Sequence, residues 1–331
     1  MQWSFGLRSE RLVKSVPAPE WVKPSGRAAA TAAGLVLPDE TEEGRMDILI
    51  LGCGFTGRRV ASSLAQAGHL VWATSRHPER LALQDVRCLR LDLDDPASLA
   101  ATGAAVPEGI RVLLSIPLLE ESAGCWTDPT PRLLDALGSK PARVVYLSTT
   151  GVYGAQECVN ELSLPAPRSP RETLRVDAER AVQQGPCSSM ILRPAAIYGP
   201  HRGVHASMRR GTFRLPGDGS RFISRIHVDD LAALAGAALL SNHSGTWPAA
   251  DEQPCTSLEI CRFISELTGL PMPPPAAEGS VSHTLRNNRR VDGRAVVRLL
   301  GVSLRYASYR TGIPACLSAE ASAESGVEPD A

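Results

Sequence analysis

Apolar residues along the chain fall into short continuous runs separated by longer amphipathic segments. The first run, 46-MDILIL-51, is bounded by Gly52, the pattern of a parallel strand buried on both faces. Behind it, 57-GRRVASSLAQAGH-69 spaces Val60 and Leu64 four apart, on one helix face, and Gly68 stands where a helix ends. The rhythm continues, predicting strands over 69–74, 86–91, 110–116, 143–149 and 190–194 and helices around 96–104, 129–138 and 171–184. Strand, helix, strand in this order implies right-handed crossovers, and so an α/β fold with a doubly wound parallel sheet.

Past residue 199 the rhythm breaks, and Gly, Pro and Arg dominate to 220. A helix is predicted at 229–240, capped by Asp229 or Asp230, and another starts at 256-TSLE-259, a capping box. Residues 200–316 read as a smaller substrate-binding lobe contributing to the same fold. Residues 317–331 are small, polar and acidic, and read as a disordered tail. Residues 1–45 read as a disordered tail or as a non-native extension upstream of a start at Met46. An organelle transit peptide is the competing reading, which Glu10, Glu20 and the acidic 39-DETEEGR-45 weaken.

Composition narrows the function classes. Lys+Arg and Asp+Glu are both 35, so nothing global favours nucleic acid or a membrane surface. No apolar run approaches the ~20 residues of a membrane span. The eight cysteines form no C-x-x-C pair, which reads as reduced thiols in a cytoplasmic compartment. His201 and His205 are four apart without nearby Asp, Glu or Cys, so no metal site is expected there.

The segment 52-GCGFTG-57 is G-x-G-x-x-G between a buried strand and a helix, a context that turns a weak motif into a dinucleotide-binding signal. Gly52 permits the tight turn, Gly54 lets a pyrophosphate approach, and Gly57 lets helix pack on strand. Phe55 and Thr56 complete the loop at the positive end of the helix dipole. The domain at 46–199 is therefore of Rossmann type. The second strand ends in Thr74, Ser75 and Arg76, not in the carboxylate that binds the ribose of NAD. Arg76 and Ser75 suit a 2′-phosphate, so NADP is expected over NAD. Arg76 as a solvated loop residue is the plain alternative.

In order, these segments resemble the short-chain dehydrogenase/reductases, within them the NAD-dependent epimerase/dehydratase-like group, over roughly residues 46–316. In 92-DLDDPASL-99, the resemblance puts Asp92 and Leu93 beside adenine. In 114-LSIP-117 it puts Ser115 and Pro117 on the ribose side. The segment 192-LRPAAIYGP-200, with Pro194, passes the nicotinamide, and 226-IHVDDLA-232 matches a late strand-to-helix motif. The family's Ser/Thr falls on Thr149 in 147-LSTTGVYG-154. Its Tyr and Lys, the proton-transfer pair, fall on Arg171 and Arg175, with Glu179 four residues past the Lys position. This departure, with Leu51 in place of an extra Gly, resembles the atypical members that lack Tyr-x-x-x-Lys. Arg171 cannot surrender a proton near neutral pH, whereas Arg175 can still hold the cofactor's ribose.

Tyr153 and His227 are the remaining acid/base candidates, each with a competing reading as a core residue. Six arginines between 200 and 228 (Arg202, Arg209, Arg210, Arg214, Arg221, Arg225), followed by Arg289 and Arg290, suggest a small anionic or nucleotide-linked substrate. They lack the interleaved aromatics of a nucleic-acid site. Two functions stand: an NAD(P)-dependent oxidoreductase or epimerase on a carbonyl or hydroxyl compound, and a non-catalytic dinucleotide-binding redox sensor or scaffold. The oligomeric state is left open.

Overall fold

In the computed structural model, which describes residues 44–122, 124–277 and 287–325, the first run is a strand, β1 (Asp47–Leu51). It lies inside a seven-stranded sheet with β2 (Leu70–Ser75), β3 (Val86–Arg90), β4 (Ile110–Leu114), β5 (Pro141–Leu147), β6 (Ser188–Pro194) and β7 (Gly245–Ala249). The order is β7-β6-β5-β4-β1-β2-β3, and every pairing is parallel. The two-residue period of a strand explains why these runs are apolar throughout. Ile48 and Ile50 pack into one core with Val60, Leu64, Leu231 and Leu234, while Leu49 and Leu51 pack into the other with Leu133, Leu137, Ala178 and Val182.

Helices α1 (Gly57–Gln66) and α6 (Val228–Leu240) build the first core. Helices α2 (Pro96–Ala105), α3 (Thr130–Leu137) and α4 (Pro170–Gln183) cover the other face. The sheet grows one way from β1 to β3 and the other way from β4 to β7. The switch between β1 and β4 opens a crevice at their C-terminal ends, where such sheets bind ligands.

The boundary at 199 does not hold for the sheet, because α6 and β7 return to it from beyond that point. The lobe adds α5 (Val204–Arg209), α7 (Ser257–Thr268), α8 (Arg294–Leu299) and α9 (Tyr309–Ser325), and it forms one compact unit with the sheet. Thr256 and Glu259 make the expected capping box on α7. The cap of α6 is neither Asp229 nor Asp230 but His227, whose ring accepts from the Asp229 N–H.

The expected tail at 317–331 is corrected as well: α9 continues to Ser325. Glu320 is fully buried there, paired with Arg209 at 2.6 Å and His205 at 3.2 Å. The small, polar residues around it disguised the last turns of a docking helix that also buries Tyr309, Ile313 and Cys316. The expectations for residues 1–43 and 326–331 lie outside the described residues.

Candidate functional site

The glycine loop leaves β1 and turns at Gly52, whose φ of +91° favours glycine. A Cβ there would lie 2.8 Å from the Ile116 side chain, and one on Gly57 would lie 2.5 Å from the Gly52 carbonyl oxygen. Both residues are thus fixed by close packing, whereas Gly54 faces open space. Helix α1 begins with no side-chain cap on Thr56 and no acid in its first turn. The Arg58 and Arg59 N–H groups already donate to the Gly54 and Thr56 carbonyls, so what the helix start offers a phosphate is chiefly the positive end of its dipole. The Thr74 hydroxyl ties the loop to β2, accepting from the Gly52 N–H and donating to the Ile50 carbonyl.

From this loop a cleft of about 350 Å³ runs along the ends of β2, β3 and β4. Gly52, Gly54, Ser75, Arg76, Asp92, Leu93, Ser115 and Pro117 all line it. These are most of the residues expected at the cofactor, from four separate segments. Phe55, Thr56 and Gly57 stay on the loop and first turn behind it. Pro194 is buried, and Ala196 takes the place expected for it at the cleft wall.

A second cleft of about 420 Å³ meets the first at Pro117, which lines both. Thr149, Arg171, Glu172, Arg175, Arg202, Ser224 and Arg289 are among its walls. Thr149 ends the strand segment, and its Oγ1 accepts from the Gly151 N–H at 3.0 Å, capping the short turn Thr150–Tyr153. The hydroxyl proton remains to be donated.

On α4, Arg175 is 9 % exposed and held from below. Its Nη1 donates to Asp128 at 3.0 Å and to the Tyr146 hydroxyl, which itself donates to Asp128 at 3.1 Å. Burial pushes the Tyr146 phenol up, against the pull of Arg175. One turn earlier, the Arg171 guanidinium lies 3.8 Å from the Trp126 ring. Trp126 sits on a two-stranded hairpin, Leu119–Ser122 with Cys125–Thr127, that follows β4. The residues at the Tyr and Lys positions thus both grip the segment after β4. Glu179 anchors the same helix from its other end. It is buried, pairs with both ends of the Arg193 guanidinium at 3.0 and 2.6 Å, and accepts from Ser148.

The structure does not bring the two acid/base candidates to the cleft. Tyr153 is 1 % exposed, packed under Arg193 and Arg289, and burial raises its phenol despite help from Arg193. His227 is equally buried, between Tyr198, Tyr306 and Cys316. Burial pushes it down to about 4 even with Asp229 beside it. At neutral pH it is an uncharged core residue and helix cap.

The arginine cluster also dissolves. Of the six between 200 and 228 only Arg202 lines the cleft. Arg209 pairs with Glu320, Arg210 and Arg214 bind local carbonyls, and Arg225 is buried against Ile223 and Cys255. Arg289 donates to the carbonyls of Thr150, Gly154 and Gln156, pinning the turn after Thr149. Sequence reasoning missed Trp126, Asp128 and Tyr146. Tyr146 was visible as the one polar-tipped residue on a strand face otherwise made of Ala142 and Val144.

A family model described as "NAD dependent epimerase/dehydratase family" matches residues 48–248. A 3-diazoavenalumate denitrifying reductase of a Streptomyces species is 26% identical over 301 residues, covering 81% of this chain and 99% of its own. A conserved protein of unknown function from Silicibacter pomeroyi superposes with a TM-score of 0.68 at 28% identity, covering 83% of this chain and 99% of the other. MoeE5 in complex with UDP-glucuronic acid and NAD gives a TM-score of 0.65 at 25% identity, over 81% of this chain and 96% of the other.

Proposed function

The chain belongs to the NAD dependent epimerase/dehydratase family, and from that premise we propose that it is an NADP-dependent oxidoreductase that reduces a small anionic or nucleotide-linked carbonyl compound or oxidises the corresponding hydroxyl compound. One observation carries the reading: the cleft of the glycine loop meets the cleft of Thr149 at Pro117, so a dinucleotide laid along the first ends at the second. The relatives support it by their printed descriptions, one a reductase and one a complex with NAD and a UDP-sugar acid. NADP is preferred over the NAD of that complex because exposed Arg76 lines the adenosine end with Ser75, where β2 offers no carboxylate to a ribose 2′-hydroxyl.

When bound, the nicotinamide supplies or accepts hydride. Thr149 accepts the Gly151 N–H and directs its own proton at a substrate oxygen. Arg175, clamped by Asp128 and Tyr146, would hold the ribose hydroxyls as a donor and, being an arginine, would move no proton. Proton exchange at the substrate would then run through Thr149 and water, because no Tyr is among the described residues that line this cleft.

Affinity titrations test the cofactor. Arg76→Ala should weaken NADPH about 10- to 100-fold, the worth of a charge-assisted contact, and leave NADH unchanged. Equal affinities in the unmodified protein overturn the preference. With NADPH and a panel of carbonyl compounds and nucleotide sugars, Thr149→Val should slow turnover at least about tenfold.

The burial of Tyr153 and His227 favours a second reading, a non-catalytic redox sensor or scaffold. NADPH bound but unconsumed across the panel would select it.

A further inference from the structure

Among the described residues four arginines line the second cleft, and two are committed to the protein itself. Arg175 is taken by Asp128 and Tyr146, and Arg289 by three backbone carbonyls. Arg171 and Arg202 are exposed, and among the described residues neither forms an ion pair. Each lies on an aromatic ring instead: Arg202 at 5.0 Å from Phe55, Arg171 at 3.8 Å from Trp126. Phe55 belongs to the glycine loop, so the charge of Arg202 stands at the cofactor's end. Arg171 stands on α4, on the far wall.

Stacking orients a guanidinium and uses none of its N–H donors. The donors of Arg171 are therefore oriented but unmet, in a cleft where Glu172 is the sole acid among the described lining residues. Glu172 in turn accepts the Arg168 N–H at 2.6 Å within the start of α4. An oriented guanidinium edge in such surroundings matches a pair of anionic oxygens.

We propose that Arg171, braced by Trp126, is the specificity-determining residue of this cleft and holds the carboxylate or phosphate oxygens of the substrate. The inference rests on the reading of the second cleft as the substrate site. A position that resembles the family's proton donor then works as an anion receptor, and Trp126 sets its aim.

Titrations of NADPH-loaded protein, followed by calorimetry, decide it. UDP is compared with uridine, and 4-hydroxycinnamate with 4-hydroxycinnamyl alcohol. At least one anion should bind more tightly than its neutral partner. Arg171→Gln should weaken that anion at least about tenfold, the loss of one charged contact, without changing NADPH affinity or thermal stability. Arg171→Lys should restore part of the loss, because it returns the charge without the fork. Trp126→Ala should weaken the anion, and Trp126→Phe should keep it. Preference for UDP assigns a phosphate; preference for the cinnamate assigns a carboxylate.

The proposal is overturned if neither anion outbinds its neutral partner, or if Arg171→Gln leaves anion binding intact. Failure of the unmodified protein to bind NADPH would sink the cofactor reading instead. The same anion titrations on cofactor-free protein would then still decide the role of Arg171.

Discussion

At the glycine-loop end of the cleft the backbone itself is closely packed, with Gly52 and Gly57 fixed by contacts of 2.8 and 2.5 Å that a Cβ would have to make. At the far end the walls are long side chains that hold one another: Arg175 on Asp128, Arg171 on Trp126, Glu179 on Arg193. The first construction tolerates almost no change of residue type. The second keeps the helix in place while its outward residues are exchanged, which is how a Tyr–Lys position comes to carry two arginines. The glycine loop and the outward residues of α4 are therefore held by separate sets of contacts.

Breaking the far end at its anchor should have the largest effect. Glu179→Ala leaves the Arg193 guanidinium, 6 % exposed, without its carboxylate and should cost about 3–5 kcal/mol in urea unfolding. If the two ends are as independent as their construction implies, NADPH affinity of the folded variant should stay within about twofold, as for distant sites. A parallel fall in affinity would mean that α4 positions the cofactor too.

Breaking the near end should cost less stability and more binding. Gly57→Ala forces its Cβ against the Gly52 carbonyl, an overpacking of about 1–3 kcal/mol that also shifts the loop. NADPH binding should be lost while anion binding at Arg171 survives, readable by the same titrations.

The smallest effect should come from Tyr153→Phe. Its hydroxyl is buried beside Arg193, so stability should fall by about 1 kcal/mol and turnover should escape the ~10²-fold loss of a proton donor. A hundredfold loss of turnover would return Tyr153 to the chemistry.

What was legible in the sequence follows the same division. The strands, the glycine loop and the end of β2 with Ser75 and Arg76 announce themselves locally, through period, turn residues and fixed offsets, whereas Asp92 and Leu93 were singled out only by the family resemblance. The far end depends on pairs such as Arg175 and Asp128, 47 residues apart, and on a short hairpin with no alternation to mark it. Burial of Tyr153 and His227 is likewise a property of tertiary packing that no single segment carries. Glu320 was hidden by its own neighbours, since composition averages over the one residue that matters.

That buried glutamate has a consequence for how the protein is made. Tyr309, Ile313 and Cys316 complete the lobe's core with Tyr198, Ile260 and Ile264, and Glu320 closes over His205 and Arg209. During synthesis the sheet through β7 can assemble while these residues are still inside the ribosome. The lobe cannot. Its core residues Tyr198, Ile260 and Ile264 stay incompletely covered until Tyr309, Ile313 and Cys316 of α9 dock on them.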